Sequence, residues 1–176
     1  MSVVRKLRRY KTDPQRESLY QAERSISSKP FFRAQMTRAQ TLRLIKRVRK
    51  QYALVPITLR VMSKELPTVD HGRYDVEYDG DTHELQKVTL SVNPERYAMN
   101  PALVLHELAH VACDQTFGMD MPDHSKEMVG ILVWLFDHYN LIPEDAFRLI
   151  LRRYRVKYRS LAESSPAAIK GERWSS

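Results

Sequence analysis

Two histidines and a glutamate stand in the order His106-Glu107-Leu108-Ala109-His110. In a helix, four residues advance the chain by about 400°, so both imidazoles leave one face and can grip a single ion. Glu107 is turned by about 100° toward the open side, where it can reach a metal-bound water. Zinc brings the pKa of such a water to about 7. A carboxylate beside it accepts the proton as hydroxide attacks a carbonyl, then returns it to the leaving amine. Given the His and Glu content of the chain, chance supplies only about 0.01 matches to the pattern. A tetrahedral catalytic site needs a third protein ligand and keeps one position for water. The choice is His124, which opens the following helix on the same stripe as Met128, Ile131 and Leu135. Its rivals are Asp114, four residues beyond His110, then Glu127, Asp120 and Asp123. Asp114 reads better as a partner orienting a ligand imidazole. The site therefore comprises His106, His110 and His124 on Zn2+, with Glu107 as general base.

The other reactive side chains have plainer readings. His71 and His83 lie in polar, turn-like stretches, and His138 sits near a helix end where a dipole contact suffices. Cys113 and Trp134 have apolar neighbours and read as core.

The elements that must position the site follow from caps and periodicity. Asn100-Pro101 opens a helix over 101–117 that Gly118 can end. Asp123 is the expected cap of the next helix, which runs to Tyr139. Thr12 to Gln15 resembles a capping box, placing a first helix over about 13–25. Thr37 caps a basic helix with Leu42, Ile45, Val48 and Tyr52 at helical spacing, and Pro143 starts a last helix to about Tyr158. Ile57, Leu59 and Val61 alternate with polar residues, as do Arg73–Tyr78 and Lys87–Val92, with turn residues at Asp79-Gly80-Asp81. The expected fold class is α+β: a small, mainly antiparallel three-stranded sheet packed with the His-Glu helix and flanking helices. The expected organisation is a basic arm over 1–12, one domain over 13–159 and a flexible tail over 160–176, which holds little to bury.

Charge is segregated along the 176 residues. Residues 1–50 carry 15 Lys and Arg against 3 Asp and Glu, residues 51–140 carry 6 against 14, and residues 141–160 carry 6 against 2. Basic ends of this kind suit non-specific nucleic-acid binding, or they simply solvate helix faces. One cysteine excludes an intramolecular disulfide and a four-cysteine zinc ribbon. The N-terminus has no apolar core of a signal peptide and no stretch is long enough to span a bilayer, so the expectation is a cytoplasmic protein with no membrane partner.

Three segments carry a family resemblance: Ser91-Val-Asn-Pro94, Val104-Leu-His-Glu-Leu-Ala-His110 and His124-Ser-Lys-Glu-Met128. Over about residues 55–140 the chain resembles the SprT-like zincin metallopeptidases. The resemblance implies a zincin-like fold, a strand ending in Asn-Pro before the His-Glu helix, zinc on His106, His110 and His124, and catalysis by Glu107. Ser125 replaces the usual glycine after the third histidine, Met128 stands where an aromatic is common, and no C-terminal zinc ribbon is present. Residues 12–23 also resemble the N-terminus of a group of small metallohydrolases with the same motif.

Two functions compete. One is a zinc peptidase that cleaves a polypeptide laid along a sheet edge. The other is a nucleic-acid-associated or structural assembly protein in which zinc only ties helices together. The presence of Glu107 favours the first, because a structural site closes its fourth position with another side chain and has no use for a neighbouring carboxylate.

Overall fold

Asn100 sets the central element in place. Its Oδ1 accepts from the backbone N of Ala102 at 2.7 Å and of Leu103 at 3.4 Å, with Pro101 in the first turn. In this computed structural model the described residues are 3–6, 13–27, 33–61, 72–79, 84–92, 100–118 and 121–173. The elements are β1 (Val3–Lys6), α1 (Arg16–Ile26), α2 (Arg38–Tyr52), β2 (Ile57–Val61), β3 (Gly72–Asp79), β4 (Leu85–Val92), α3 (Pro101–Phe117), α4 (Lys126–His138), α5 (Glu144–Arg153), α6 (Leu161–Ser164) and α7 (Pro166–Arg173).

Helix α3 is buried on nearly every side from Val104 to Asp114, with apolar residues on most faces and His106, Glu107, His110 and Asp114 buried among them. The sheet packs on it through β3 and β4, and α2, α4 and α7 also lie against it. Gly118 ends it at φ +82°, a backbone region that favours glycine.

The protein is α+β, but its sheet differs from the expected three-stranded, mainly antiparallel one. It has four strands in the order β1-β3-β4-β2, and β2 runs parallel to β4. Alternation could identify β2 but not its direction, because the connection to β3 is too long for a tight hairpin. The fourth strand comes from the expected N-terminal arm: Val3–Lys6 pairs antiparallel with Val76–Asp79. On the helix-facing side, Leu90 stands between Leu59 and Tyr74, and Val88 pairs with Val76.

The C-terminal segment differs as well. Residues 161–173, expected to be a flexible tail, form α6 and α7, with Ser164 and Ile169 buried and the Tyr52 hydroxyl donating to the Ser164 carbonyl at 3.0 Å. Ser160 and Glu163 close a capping box that starts this segment. Gly130 permits the approach, since a Cβ there would meet Ser164 Oγ and would stand 2.8 Å from the Arg159 carbonyl. Helix α5 is shorter than expected, ending at Arg153. The turn at Asp79 to Asp81, apart from Asp79 itself, lies outside the described residues.

Among the described residues, no helix is long and apolar enough to cross a membrane.

Candidate metal centre

His106 and His110 project from the same face of α3, and His124 reaches them from the loop before α4. Their Nε2 atoms converge: His106 to His110 is 3.2 Å and His106 to His124 is 3.3 Å. All three ligand atoms lie within 4.8 Å of one another and all three residues are buried. Metal–nitrogen bonds of about 2.0–2.1 Å in a tetrahedron place neighbouring ligand nitrogens about 3.3 Å apart, which the two shorter separations match.

The outer nitrogens decide what those contacts are. His106 Nδ1 faces Glu23 Oε1 at 2.8 Å, and His124 Nδ1 faces Asp13 Oδ2. A carboxylate can only accept, so each Nδ1 carries the proton, and in the neutral tautomer each Nε2 presents a lone pair. The inward lone pairs of His106 and His124, 3.3 Å apart, are satisfied by a shared cation, either a metal ion or the proton that a charged His106 carries. The three histidines could hold a metal ion, with the outer carboxylates fixing the orientation of two of the rings and raising their basicity.

Electrostatics agree with a pair coupled through one space. Burial disfavours a charged His106, but the charge and hydrogen bond of Glu23, helped by Glu107 and Asp13, outweigh it and hold its pKa above the ordinary value. Burial and then the neighbouring His106 push His124 the other way, against the opposing pull of Asp13. Burial drives the Tyr20 phenol up to about 12, opposed by Arg16 and reinforced by Glu107 and Glu23. Glu107 is 8 % exposed and close enough for its charge to be felt by both His106 and Tyr20.

Aromatic rings wall the site. Tyr20 meets His124 edge-on with centroids 5.2 Å apart, and Tyr74 of β3 stacks on His110 at 5.7 Å. The Tyr74 hydroxyl donates to Asp114 Oδ2 at 2.7 Å. Asp114, expected to orient a ligand imidazole, is thus bonded to the ring that stacks on one.

The structure brings His106, His110 and His124 together on one side of α3, with residues behind them that the motif does not contain. Asp13, Tyr20 and Glu23 come from the N-terminal segment, where the sequence pattern of Thr12 to Gln15 predicts a helix cap. Instead α1 starts at Arg16 with no side-chain cap. Gln15 donates to the carbonyls of His124 at 2.6 Å and Lys157 at 3.2 Å and accepts from the Lys157 N at 2.9 Å. One signal was available: Arg16, Tyr20 and Glu23 recur at helical spacing beside the buried Leu19, Ala22 and Ile26.

Other candidates lie elsewhere. The cap of α4 is Ser125, whose Oγ accepts from the Met128 N at 3.3 Å, and not Asp123. Ser125 also touches Cys113 Sγ at 3.7 Å, and Cys113 is a core residue. Glu127 pairs with Lys126 at 3.8 Å. His138 stacks on Trp134 and bonds to Gln51 at 2.7 Å. His71, His83, Asn93, Pro94, Thr12 and Asp120 lie outside the described residues. The two basic helices have different neighbours, α2 packing on α3, α7 and β2, and α5 on α4 and α1.

Comparison of the chain with family models, curated proteins and solved structures finds no match.

Proposed function

We propose that the protein is a zinc-dependent hydrolase with a polypeptide as its substrate, acting as the SprT-like zincin peptidases that its motifs resemble. The observation that carries this reading is the convergence of three Nε2 atoms, two of them backed by carboxylates, beside a buried glutamate on the same helix. Three protein ligands are what a catalytic zinc uses, whereas a structural zinc takes four. Among the described residues, the metal-capable cluster contains three.

A zinc ion on His106, His110 and His124 would supply Lewis acidity toward a water and a substrate carbonyl. Glu107 takes the proton of the attacking water and passes it to the leaving nitrogen. Its burial favours that transfer over exchange with bulk water. Glu23 and Asp13 hold the imidazoles in the tautomer that binds metal. An extended substrate would add a strand to the sheet. Strand β3 carries Tyr74 against the site, and across Val76–Asp79 its outer side is paired with β1. Any strand added there competes with Val3–Lys6.

The test is a broad peptide-cleavage screen on zinc-loaded protein, repeated on Glu107→Gln. Hydrolysis is expected to fall by roughly 10²–10⁴-fold, with zinc content and fold unchanged. Wild-type cleavage by Glu107→Gln with zinc still bound would refute the general-base assignment and put the structural-zinc reading ahead.

A further inference from the structure

Outside the metal centre, the foot of α2 holds a cleft of about 380 Å³. Its floor is apolar: Met36 and Leu44, Leu105 from α3, and Leu141 from the turn after α4. Arg43 and Arg47 stand on its lip, four residues apart and therefore side by side on the helix. A volume in this range matches small-molecule sites and far exceeds a packing void.

Charge specifies the occupant. No Asp or Glu occurs in the sequence between Arg24 and Lys64. Among the described residues, neither Arg43 nor Arg47 makes an ion pair. Two neighbouring guanidinium groups repel, and an anion shared between them removes that repulsion while gaining planar, charge-assisted hydrogen bonds. The Tyr139 phenol also lines the cleft, close enough to Arg47 for the cation to oppose the upward push of burial on its pKa. Its hydroxyl is already donated to Gln51 Oε1 at 2.8 Å, so the cations are left to recognise the ligand.

We infer that this cleft binds a small amphiphilic carboxylate, its apolar chain on Leu44, Leu105 and Leu141 and its carboxylate across Arg43 and Arg47. A nucleic acid or a simple polyanion would use the charges and leave the apolar floor empty. A neutral hydrocarbon would use the floor and waste the charges. The site is separate from the metal centre and does not depend on the hydrolase reading.

The test uses three probes of equal chain length, decanoate, decan-1-ol and decylamine, with acetate as the headgroup control, titrated into the full chain by calorimetry below their self-association concentrations. Decanoate is expected to bind saturably, at least about tenfold more tightly than decanol, as loss of a charge-assisted hydrogen bond implies. Decylamine and acetate are expected to be silent. In Arg43→Gln/Arg47→Gln, decanoate should fall to the level of decanol while decanol itself is unchanged. Lys46→Gln/Lys50→Gln removes the same charge from the same helix but not from the cleft, and should leave decanoate binding intact. Equal binding of all three long-chain probes, no binding of decanoate, or equal losses in the two double variants would each overturn the assignment. Circular dichroism of both variants checks that α2 stays folded.

Discussion

The carboxylates behind the histidines give the sharpest test of the metal centre. Asp13 and His124 are almost wholly buried, their side chains 5 % and 4 % exposed, and Asp13 Oδ2 also accepts from the His124 backbone N at 3.3 Å. Glu23 is 17 % exposed and makes one bond to His106. Loss of an orienting partner of this type costs about 10–100-fold in metal affinity, or about 1.4–2.8 kcal/mol. Burial and the second bond put Asp13→Asn near the upper end, about hundredfold, and Glu23→Gln near the lower end, about tenfold. The two carboxylates act on imidazoles 3.3 Å apart and each is felt at both, so the double variant should depart measurably from the product of the two. Zinc affinity is measured by competition with a chromophoric chelator at fixed pH and ionic strength. Asp114→Asn is the comparison: Asp114 accepts from the Tyr74 hydroxyl, whose ring stacks on His110, and its effect should be smaller than either. If Asp13→Asn and Glu23→Gln hold zinc within twofold of wild type, the carboxylates do not position the ligands, and the argument from tautomers to metal fails with them.

Three further outcomes are expected. The wild type should retain roughly one zinc per chain on desalting and His124→Ala should lose most of it, and removing zinc from the wild type should lower Tm, because ligand held at a thousand times its Kd contributes about 4 kcal/mol; equal metal content in His124→Ala and wild type removes His124 from the ligand set. Deleting residues 1–6 should raise kcat/KM for an extended peptide by lowering KM, if β1 occupies the side of β3 where a substrate strand pairs; an unchanged KM sinks that idea. The Ser160 hydroxyl, then its backbone N–H, hold the Glu163 carboxyl below the ordinary glutamate range, so the capping contribution is present above the unfolded pKa and is lost as pH falls through the lowered folded value. Amide protection in α6 should weaken on acidification in the wild type, while Glu163→Gln should lack that step.

What the sequence exposed and what it hid divide along a physical line. Elements whose signals are local were legible: Asn100-Pro101 and Gly118 bracket α3, and Thr37 with Gln40 forms the box that starts α2. Ile45, Val48 and Tyr52 are buried as the helical spacing requires, though Thr41 takes the inward place expected of Leu42, which is 41 % exposed. His106 and His110 were legible because the chemistry fixes their spacing, and His124 because it continues the apolar stripe of the next helix. Hidden features depend on partners far along the chain. Asp13 and His124 are 111 residues apart, and Gln15 and Lys157 are 142 apart. Read locally, Asp13 and Gln15 look like cap residues, because the same side chains that cap helices also make the long-range bonds seen here. The C-terminal helices were hidden for another reason: Ile169 alone among their side chains is both apolar and fully buried, too little to signal a packed segment, although the Ser160 and Glu163 capping box was there to be read.

The position of His124 shows why the N-terminal segment matters to the site. His106 and His110 are held by a helix whose backbone is buried and hydrogen-bonded. His124 precedes the cap of α4 and has no such support of its own. Its three exits are taken by two residues of one short segment: Asp13 accepts from its Nδ1 and from its backbone N, and Gln15 donates to its carbonyl. Gln15 then reaches on to both backbone groups of Lys157, and the Arg159 N donates to the Lys126 carbonyl at 2.8 Å. The loop ligand is therefore held by the N-terminal segment, which is bonded in turn to the chain after α5, and that chain is tied to α4 at Lys126. Fixing a loop residue costs about 1–2 kcal/mol of backbone entropy, and these bonds offset that cost before any metal binds. The third ligand is preorganised by residues more than 100 positions away, so metal affinity should report the docking of α1 as directly as it reports the histidines themselves.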